Sequence, residues 1–461
     1  MASAFGTDGI RGVANADLST ELMDRLGRAA VHVLVERGRG RFARGRDPRI
    51  SGDLLEAALA AAICSAGADV LRLGVLPTPG IALLTRRLGV DAGAVISASH
   101  NPMEDNGVKL FAPTGFKFPD AMEARIESAM AETGALPRPT GGGVGRIADL
   151  TDAAARYLEY LAGLARARLD GWRIAVDCAN GATSGIAPAL WERLGADVVA
   201  VCADPDGTNI NAGCGSTHPE VIAAAAPEHR ADVGFAHDGD GDRVIGADRR
   251  GRVLDGDTIM GIVALHRHAR GELPGGLLVA TVMTNMGLEV ALRDRGVRLE
   301  RARVGDRYVL ERMLETGARV GGEQSGHVIF LDHATTGDGL VTALQLVNVV
   351  LESGRSLEEL ASPFHRYPQV LLNVRTSTPE RWQDDAEILA ALADVERRLA
   401  GRGRVLVRAS GTEPLVRVMT ECDDGPAAQE TASALAELVA RRLDGTVVSP
   451  PGRAAPGDGP P

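Results

Sequence analysis

The chain has 461 residues, 45% of them hydrophobic and 24% charged, with a net charge of −11. That length suits roughly three domains, with about two to four admissible. The acidic balance speaks against a nucleic-acid surface, and no apolar run approaches the ~20 residues that span a bilayer. Cys64, Cys178, Cys202, Cys214 and Cys422 are scattered without a C-x-x-C pair or a zinc-like spacing, and read as reduced core residues of a cytoplasmic protein.

In chain order, Phe5-Gly6-Thr7-Asp8-Gly9-Ile10-Arg11-Gly12 reads as a turn bearing Arg11. From about residue 40 to 350 strand, loop and helix repeat: Asp69–Leu73 as strand, Gly80–Arg87 as helix and Ala94–Ser97 as strand. The loop Ser97-Ala98-Ser99-His100-Asn101-Pro102 leaves that strand end and presents the Ser99 hydroxyl on an exposed turn. Only two lysines, Lys109 and Lys117, stand against 48 arginines, and both lie within twenty residues of Ser99. Arginine cannot replace a lysine that must give up a proton, which makes Lys109 a chemical candidate.

A Gly-rich stretch, Gly141-Gly142-Gly143, marks a first junction before a helical segment over Leu150–Leu164. Strand Arg173–Val176, helix Ile186–Leu194 and strand Asp197–Val201 follow. The apolar run Val233-Gly234-Phe235-Ala236 then leads into Asp238-Gly239-Asp240-Gly241-Asp242-Arg243. Three carboxylates at i, i+2 and i+4 on a glycine-turned backbone converge on one point, repel one another and call for a cation. An EF-hand is excluded, because its sixth and twelfth positions are Arg243 and Arg249 here. A haloacid-dehalogenase-type phosphotransferase with Asp238 as nucleophile, and a solvated acidic turn, remain as alternatives on this motif alone.

After a hairpin turn at Asp248-Arg249-Arg250-Gly251, a helix from Thr258, strand Leu277–Val282 and helix Gly287–Arg295 repeat the unit. Val304-Gly305-Asp306-Arg307-Tyr308 reads as a further turn. Gly321-Gly322-Glu323-Gln324-Ser325-Gly326-His327 carries a carboxylate, a hydroxyl and an imidazole that suit sugar hydroxyls. The pattern changes near residues 362–370, the expected interdomain joint, to a smaller α+β unit. There Arg408-Ala409-Ser410-Gly411-Thr412-Glu413-Pro414 and Arg417 combine cations, hydroxyls and exposed amides into an anion nest. The expected division is 1–150, 151–253, 254–366 and 367–445, with 446–461 as a disordered tail; the fold class is α/β, three similar domains with mixed, mostly parallel sheets plus the smaller α+β domain.

Taken together and in this order, the motifs resemble the α-D-phosphohexomutase superfamily from Phe5 to about Met419. Within it the chain is most similar to the bacterial phosphoglucosamine mutases, through the Phe5–Asn15 opening, Gln324, and Pro205-Asp206-Gly207-Thr208-Asn209-Ile210-Asn211 with Cys214-Gly215-Ser216-Thr217-His218. Met103 departs from the aromatic residue that relatives often carry. The resemblance implies four domains around a central cleft, a phosphoserine at Ser99, and Mg²⁺ held by Asp238, Asp240, Asp242 and a phosphoryl oxygen on Ser99. It implies Arg243 facing the phosphoserine, Lys109 and His327 as general acid/base candidates, and Arg11, Glu323 and Ser325 at the substrate. Arg408, Ser410, Gly411, Thr412 and Arg417 would hold the phosphate that is not reacting.

The implied reaction interconverts glucosamine 6-phosphate and glucosamine 1-phosphate through a hexosamine 1,6-bisphosphate that is intermediate and activator, feeding UDP-N-acetylglucosamine and cell-wall synthesis. The partner is the phosphorylated hexosamine, with no nucleic acid or membrane, and a homodimer is admitted. A glucose- or mannose-phosphate mutase of the same superfamily, and a non-catalytic sugar-phosphate sensor, are the alternatives.

Overall fold

The structure, a computed structural model, describes residues 5–6, 8–36, 38–410 and 413–448. Gly411 and Thr412, and the Pro/Gly-rich end from Ser449, lie outside the described residues. The first sheet contains β1 (Ile10–Val13), β2 (Arg41–Arg46), β3 (Asp69–Val75), β4 (Ala92–Ile96), β5 (Asp105–Phe111) and β6 (Ile147–Asp149), ordered β1-β5-β4-β2-β3-β6. Its β6, β3, β2 and β4 run parallel, and β5 runs antiparallel between β4 and β1. The segment from Ile10, expected as a turn, is thus an edge strand, which aims Asp8 and Arg11 toward β5.

The second sheet contains β7 (Arg173–Asp177), β8 (Asp197–Val201), β9 (Val233–His237), β10 (Val244–Asp248) and β11 (Val253–Leu254), ordered β11-β10-β9-β7-β8. The triple-Asp segment is the turn of the antiparallel β9–β10 hairpin. The third contains β12 (Leu277–Thr281), β13 (Arg298–Ala302), β14 (Val320–Gly322) and β15 (Val328–Phe330), ordered β13-β12-β14-β15, with β12 parallel to both neighbours. The fourth is wholly antiparallel: β16 (Gln369–Arg375), β17 (Gly403–Ala409), β18 (Leu415–Cys422) and β19 (Thr446–Val448), ordered β17-β18-β16-β19. Residues 446–448, expected in a disordered tail, instead complete this sheet against Asn373–Arg375, where three consecutive apolar or β-branched residues find an unpaired edge.

Small aliphatic residues build the cores, as in the cluster of Phe42, Leu59, Ala94, Ile96 and Val108 beneath the first sheet. Trp191 and Phe235, stacked at 5.5 Å, fill the second. The helix Thr78–Leu88 shows how local sequence sets an element: Pro79 sits in the first turn, where its missing N–H costs nothing, and Gly89 at φ 59 closes the other end.

The chain divides into two compact units, one comprising residues up to Thr284 with Arg295–Ser362, the other Asn285–Asp294 with residues from Pro363 onward. The chain therefore passes between units at three places, not only at the expected 362–370 joint. The reason lies in the second unit, where the helix Met286–Arg293 is tied to the C-terminal sheet. Asn285 Nδ2 donates to Tyr367 O (3.1 Å) and to Glu421 Oε1 (3.3 Å), and the Met286 amide donates to Glu421 Oε2 (3.1 Å). Glu421 is fully buried and receives Arg404 Nε at 2.6 Å. A Cβ on Gly287 would meet His365 O at 1.8 Å, so only glycine allows this approach.

Candidate active site

The triple-Asp turn and the strand that leaves it are held by backbone groups of loops and helix starts elsewhere in the first unit. Ala182 N donates to Gly239 O (2.8 Å), Thr78 N to Asp240 O (2.9 Å) and Gly339 N to Gly241 O (3.0 Å), while Val244 N donates to Gly326 O (3.1 Å). The loop's conformation is over-determined from outside, which a lone hairpin turn never is. Gly239 lies so close to the Ser99 loop that a Cβ there would meet Ser99 O at 2.6 Å.

Ser99 is 1% exposed, contrary to the expectation of an exposed hydroxyl, because its loop folds back onto the second domain. Its φ of 54 is left-handed, a costly state for a non-glycine residue that persists only when the surroundings enforce it. Those surroundings are explicit. Arg49, fully buried, donates to Asp47 (2.9 Å) and to the carbonyls of Ser99 (3.0 Å), Asn101 (2.8 Å), Asp105 (3.1 Å) and Pro102. Asn211 Nδ2 donates to the same Ser99 and Asn101 carbonyls at 2.9 and 3.0 Å. Ser97 Oγ donates to Asp47 (2.5 Å) and accepts the Ser99 amide (2.9 Å). The result aims Ser99 Oγ at Asp238 Oδ2, 2.7 Å away.

Asp238, Asp240 and Asp242 are all buried, and one oxygen from each lies within 4.8 Å of the others. Oδ1 of Asp240 and of Asp242 is buried with no hydrogen-bond partner. Burial, with repulsion from Asp242 and Asp240, pushes the Asp238 carboxyl well above the carboxylate range. Orphaned hard oxygens and mutual repulsion are what a divalent cation relieves, so the donor set fits Mg²⁺.

Lys109, on β5 and 2% exposed, places Nζ 3.0 Å from Asp240, 3.0 Å from Asp8 and 3.5 Å from Asp242. Burial works against its charge, but Asp240, Asp8 and Asp242 prevail and hold it well above the usual lysine value. Asp8 also pairs with Arg11 and Lys117, and Lys117 reaches Asp306 at 2.6 Å.

Above this layer lies a cleft of about 510 Å³, lined by Asp8, Arg11, His100, Arg243, Glu323 and His327 among others. Arg243 Nε stands 4.0 Å from Asp238 and 3.8 Å from Asp242, and like Arg11 Nε it is a buried donor without a hydrogen-bond partner. Both suit an incoming anion. Glu323 Oε1 accepts the Gly305 amide at 3.0 Å, and Ser325 Oγ is buried without a partner.

His327 is 3.6 Å from Asp242 and 3.8 Å from Asp306. Burial lowers its affinity for a proton, but Asp242, Asp306 and Glu323 raise it to about 9. The Gly337 amide donates to Nε2 at 3.1 Å, a bond only the neutral ring accepts; two flanking carboxylates outweigh one neutral bond. His100 Nδ1 lies 3.4 Å from Ser99 Oγ, and burial with Arg243 and Arg11 pushes its pKa down to about 4.

In the second unit, Arg408 and Arg417 are cross-strand partners on β17 and β18, and burial with repulsion from Arg417 depresses the Arg408 guanidinium. Arg417 also reaches Glu413 at 3.1 Å, and the Ser410 amide donates to Leu415 O at 2.8 Å. Gly411 and Thr412 fall outside the described residues. Sequence reasoning missed Asp8, Arg49, Asp47, His100, Asn211 and Asp306. For Asn211 the signal was present in the Asn-rich turn after Pro205, and for His100 in its place beside Ser99.

One consequence concerns His237, fully buried, whose pKa burial lowers to about 4. As pH falls below about 6.5 the unfolded chain takes up a proton on this ring that the folded chain refuses until about 4. Stability therefore falls across that window, by roughly 3–4 kcal/mol at ~1.4 kcal/mol per pH unit. Urea titrations from pH 7 to 4 check this: His237→Asn, which cannot charge, flattens the dependence, and equal slopes in both proteins would remove His237 as the cause.

The arrangement has counterparts among known proteins. Family models for phosphoglucomutase/phosphomannomutase match in order: alpha/beta/alpha domain I over residues 2–136, domain II over 155–251, domain III over 255–367 and the C-terminal domain over 371–438. The chain belongs to the phosphoglucomutase/phosphomannomutase family. Among its relatives are the phosphoglucosamine mutase of Desulforamulus reducens, 53% identical over 95% of this chain and 99% of that one, and the phosphoglucosamine mutase of Pelotomaculum thermopropionicum, 54% identical over 91% and 95%. A crystal structure of a phosphoglucomutase/phosphomannomutase family protein from Burkholderia thailandensis shares the fold with a TM-score of 0.82, at 24% identity over 97% of this chain and 100% of that one.

Proposed function

We propose that the protein interconverts glucosamine 6-phosphate and glucosamine 1-phosphate in the cytoplasm, with Ser99 as phosphoryl carrier and hexosamine 1,6-bisphosphate as intermediate and activator. The observation that carries this reading is Ser99, held left-handed with Oγ 2.7 Å from the first of three converging buried carboxylates. The identity of about half the residues with phosphoglucosamine mutases over nearly the whole chain supports the sugar.

Asp238, Asp240 and Asp242 hold Mg²⁺ in this reading, and the bound cation supplies neutralisation of charge on the transferring phosphoryl group. Arg243 and Arg11 bring their unpartnered donors to phosphoryl oxygens. Glu323 and Ser325 orient sugar hydroxyls, and in the second unit Arg408, Ser410 and Arg417, with Gly411 and Thr412, hold the phosphate that is not reacting. The bond from Ser99 Oγ to phosphorus breaks as the sugar hydroxyl bonds to phosphorus, and the hydroxyl proton goes to a cleft base. His100 is the neutral ring closest to Ser99, and a phosphoryl dianion on Ser99 moves its pKa back up toward neutrality. His327, charged, is the acid counterpart. Lys109, kept protonated by its three carboxylates, balances charge. The bisphosphate then turns and returns its other phosphate to Ser99.

Coupled assays with glucosamine, glucose and mannose phosphates test the assignment. The expected order places glucosamine highest in kcat/KM, and a higher value for glucose or mannose would reassign the enzyme within its family. Asp240→Asn is expected to raise the Mg²⁺ concentration needed for half-maximal rate and to lower kcat; an unchanged Mg²⁺ titration would place the ligands elsewhere.

A further inference from the structure

Three of the five cysteines, distant in sequence, meet at one point in the fold. Asp177 ends β7, Cys202 follows β8, and Cys214 lies in the loop beyond. A carboxylate oxygen and the two sulfurs all lie within 4.8 Å of one another, and Cys178, next to Asp177, is within electrostatic reach of Cys214. We propose that Asp177, Cys202 and Cys214 form a second cation site, for a soft divalent ion of the zinc class, separate from the triple-Asp loop.

The donor chemistry is what such an ion takes. Two sulfurs and an oxygen around zinc, at bond lengths of ~2.0–2.3 Å, stand ~3.3–3.8 Å apart, so a contraction of at most ~1 Å brings three donors to bonding distance, with water taking the fourth tetrahedral position. Asp177 is already oriented as metal-bound carboxylates are: the Ala179 amide donates to Oδ1 at 2.8 Å and the Gly215 amide to Oδ2 at 2.7 Å, leaving a lone pair on each oxygen. Asp177 and Cys214 are buried while Cys202 is half-buried, which provides an entry from solvent. Coordination releases the two thiol protons to water.

Backbone strain gathers at the same place. Of eight non-glycine residues with positive φ among the described residues, Ala179, Asn180, Cys202 and Asn211 belong to these loops. Strained backbone needs outside support. The same loops carry Asn211, which holds the Ser99 and Asn101 carbonyls, and Gly181, which packs on Gly239. A cation here ties together the loops that support the Ser99 turn.

The test uses reduced full-length protein in excess Mg²⁺, titrated with Cd²⁺ as a thiolate-reporting probe. The expected result is an ultraviolet thiolate-to-cadmium charge-transfer band saturating at one ion per chain, lost in Cys202→Ser and Cys214→Ser and kept in Cys422→Ser. Because Cys214 is buried and its variant can fail to fold, alkylation of Cys202 in the unaltered protein gives a second reading, expected to slow at least tenfold with Zn²⁺. Absence of the band, its survival in Cys202→Ser, unprotected Cys202, or a Cys202 to Cys214 disulfide in freshly purified protein overturns the proposal.

Discussion

Ser99→Ala is expected to abolish mutase turnover, lowering kcat by ~10⁴-fold or more, since a covalent carrier has no substitute among its neighbours. The fold should survive. Alanine tolerates left-handed φ about as poorly as serine does, so the strain at φ 54 is unchanged, and the loss is one hydrogen bond to Asp238, worth ~1 kcal/mol. Intact mass and peptide mapping of the unaltered protein should find phosphate on Ser99 after exposure to a hexose 1,6-bisphosphate with Mg²⁺. The alanine variant should carry none. Full activity in Ser99→Ala would sink the carrier assignment and return Asp238 to consideration as the nucleophile.

Arg49→Ala is expected to have the second largest effect, on stability and on rate together. Its guanidinium is fully buried and bonds to Asp47 and to four carbonyls of the Ser99 loop. Truncation leaves Asp47 buried without its cation, a loss of ~3–5 kcal/mol, and frees a turn whose left-handed residue depends on outside support. A displacement of ~1 Å at Ser99 costs ~10²-fold in rate. Arg49→Lys restores the charge near Asp47 but not the fork to several carbonyls, so it should regain part of the stability and little of the rate. Urea midpoints and kcat measured on the three proteins decide this; a near-normal rate in Arg49→Ala would show that Asn211 alone suffices to hold the loop.

What the sequence made legible was whatever chemistry it concentrates locally. Three acids spaced by glycine, and a serine where a strand ends, announce themselves because the backbone between them leaves few conformations. The alternating strands and helices from residue 69 to 295 were readable for the same reason. Arg49, Asp47, Asp8 and Asp306 gave no such signal. Each is one charged residue in an ordinary turn or, for Asp306, at a helix start, and its meaning arises only when a partner 50 or more positions away arrives beside it: Arg49 under Ser99, Asp8 against Lys109, Asp306 against Lys117. β5 was equally hidden, because Asp105–Phe111 is buried nearly throughout and lacks the alternation of a half-exposed strand. Cys178, Cys202 and Cys214 looked like scattered core residues because parallel strands bring their ends together without any regular spacing in sequence.

The tie between Asn285, Met286 and Glu421 bears on how this protein can be cut. Its C-terminal unit is written in two instalments, a ten-residue piece at Asn285–Asp294 and everything from Pro363. A fragment starting at residue 363 has a buried Glu421 with Arg404 but without the helix amide that shares it, and one ending at 362 has a helix whose first turn faces water in place of a carboxylate. Neither half is a self-sufficient module, so dissection by truncation should yield aggregation-prone pieces, whereas mixing the two fragments should restore a folded pair.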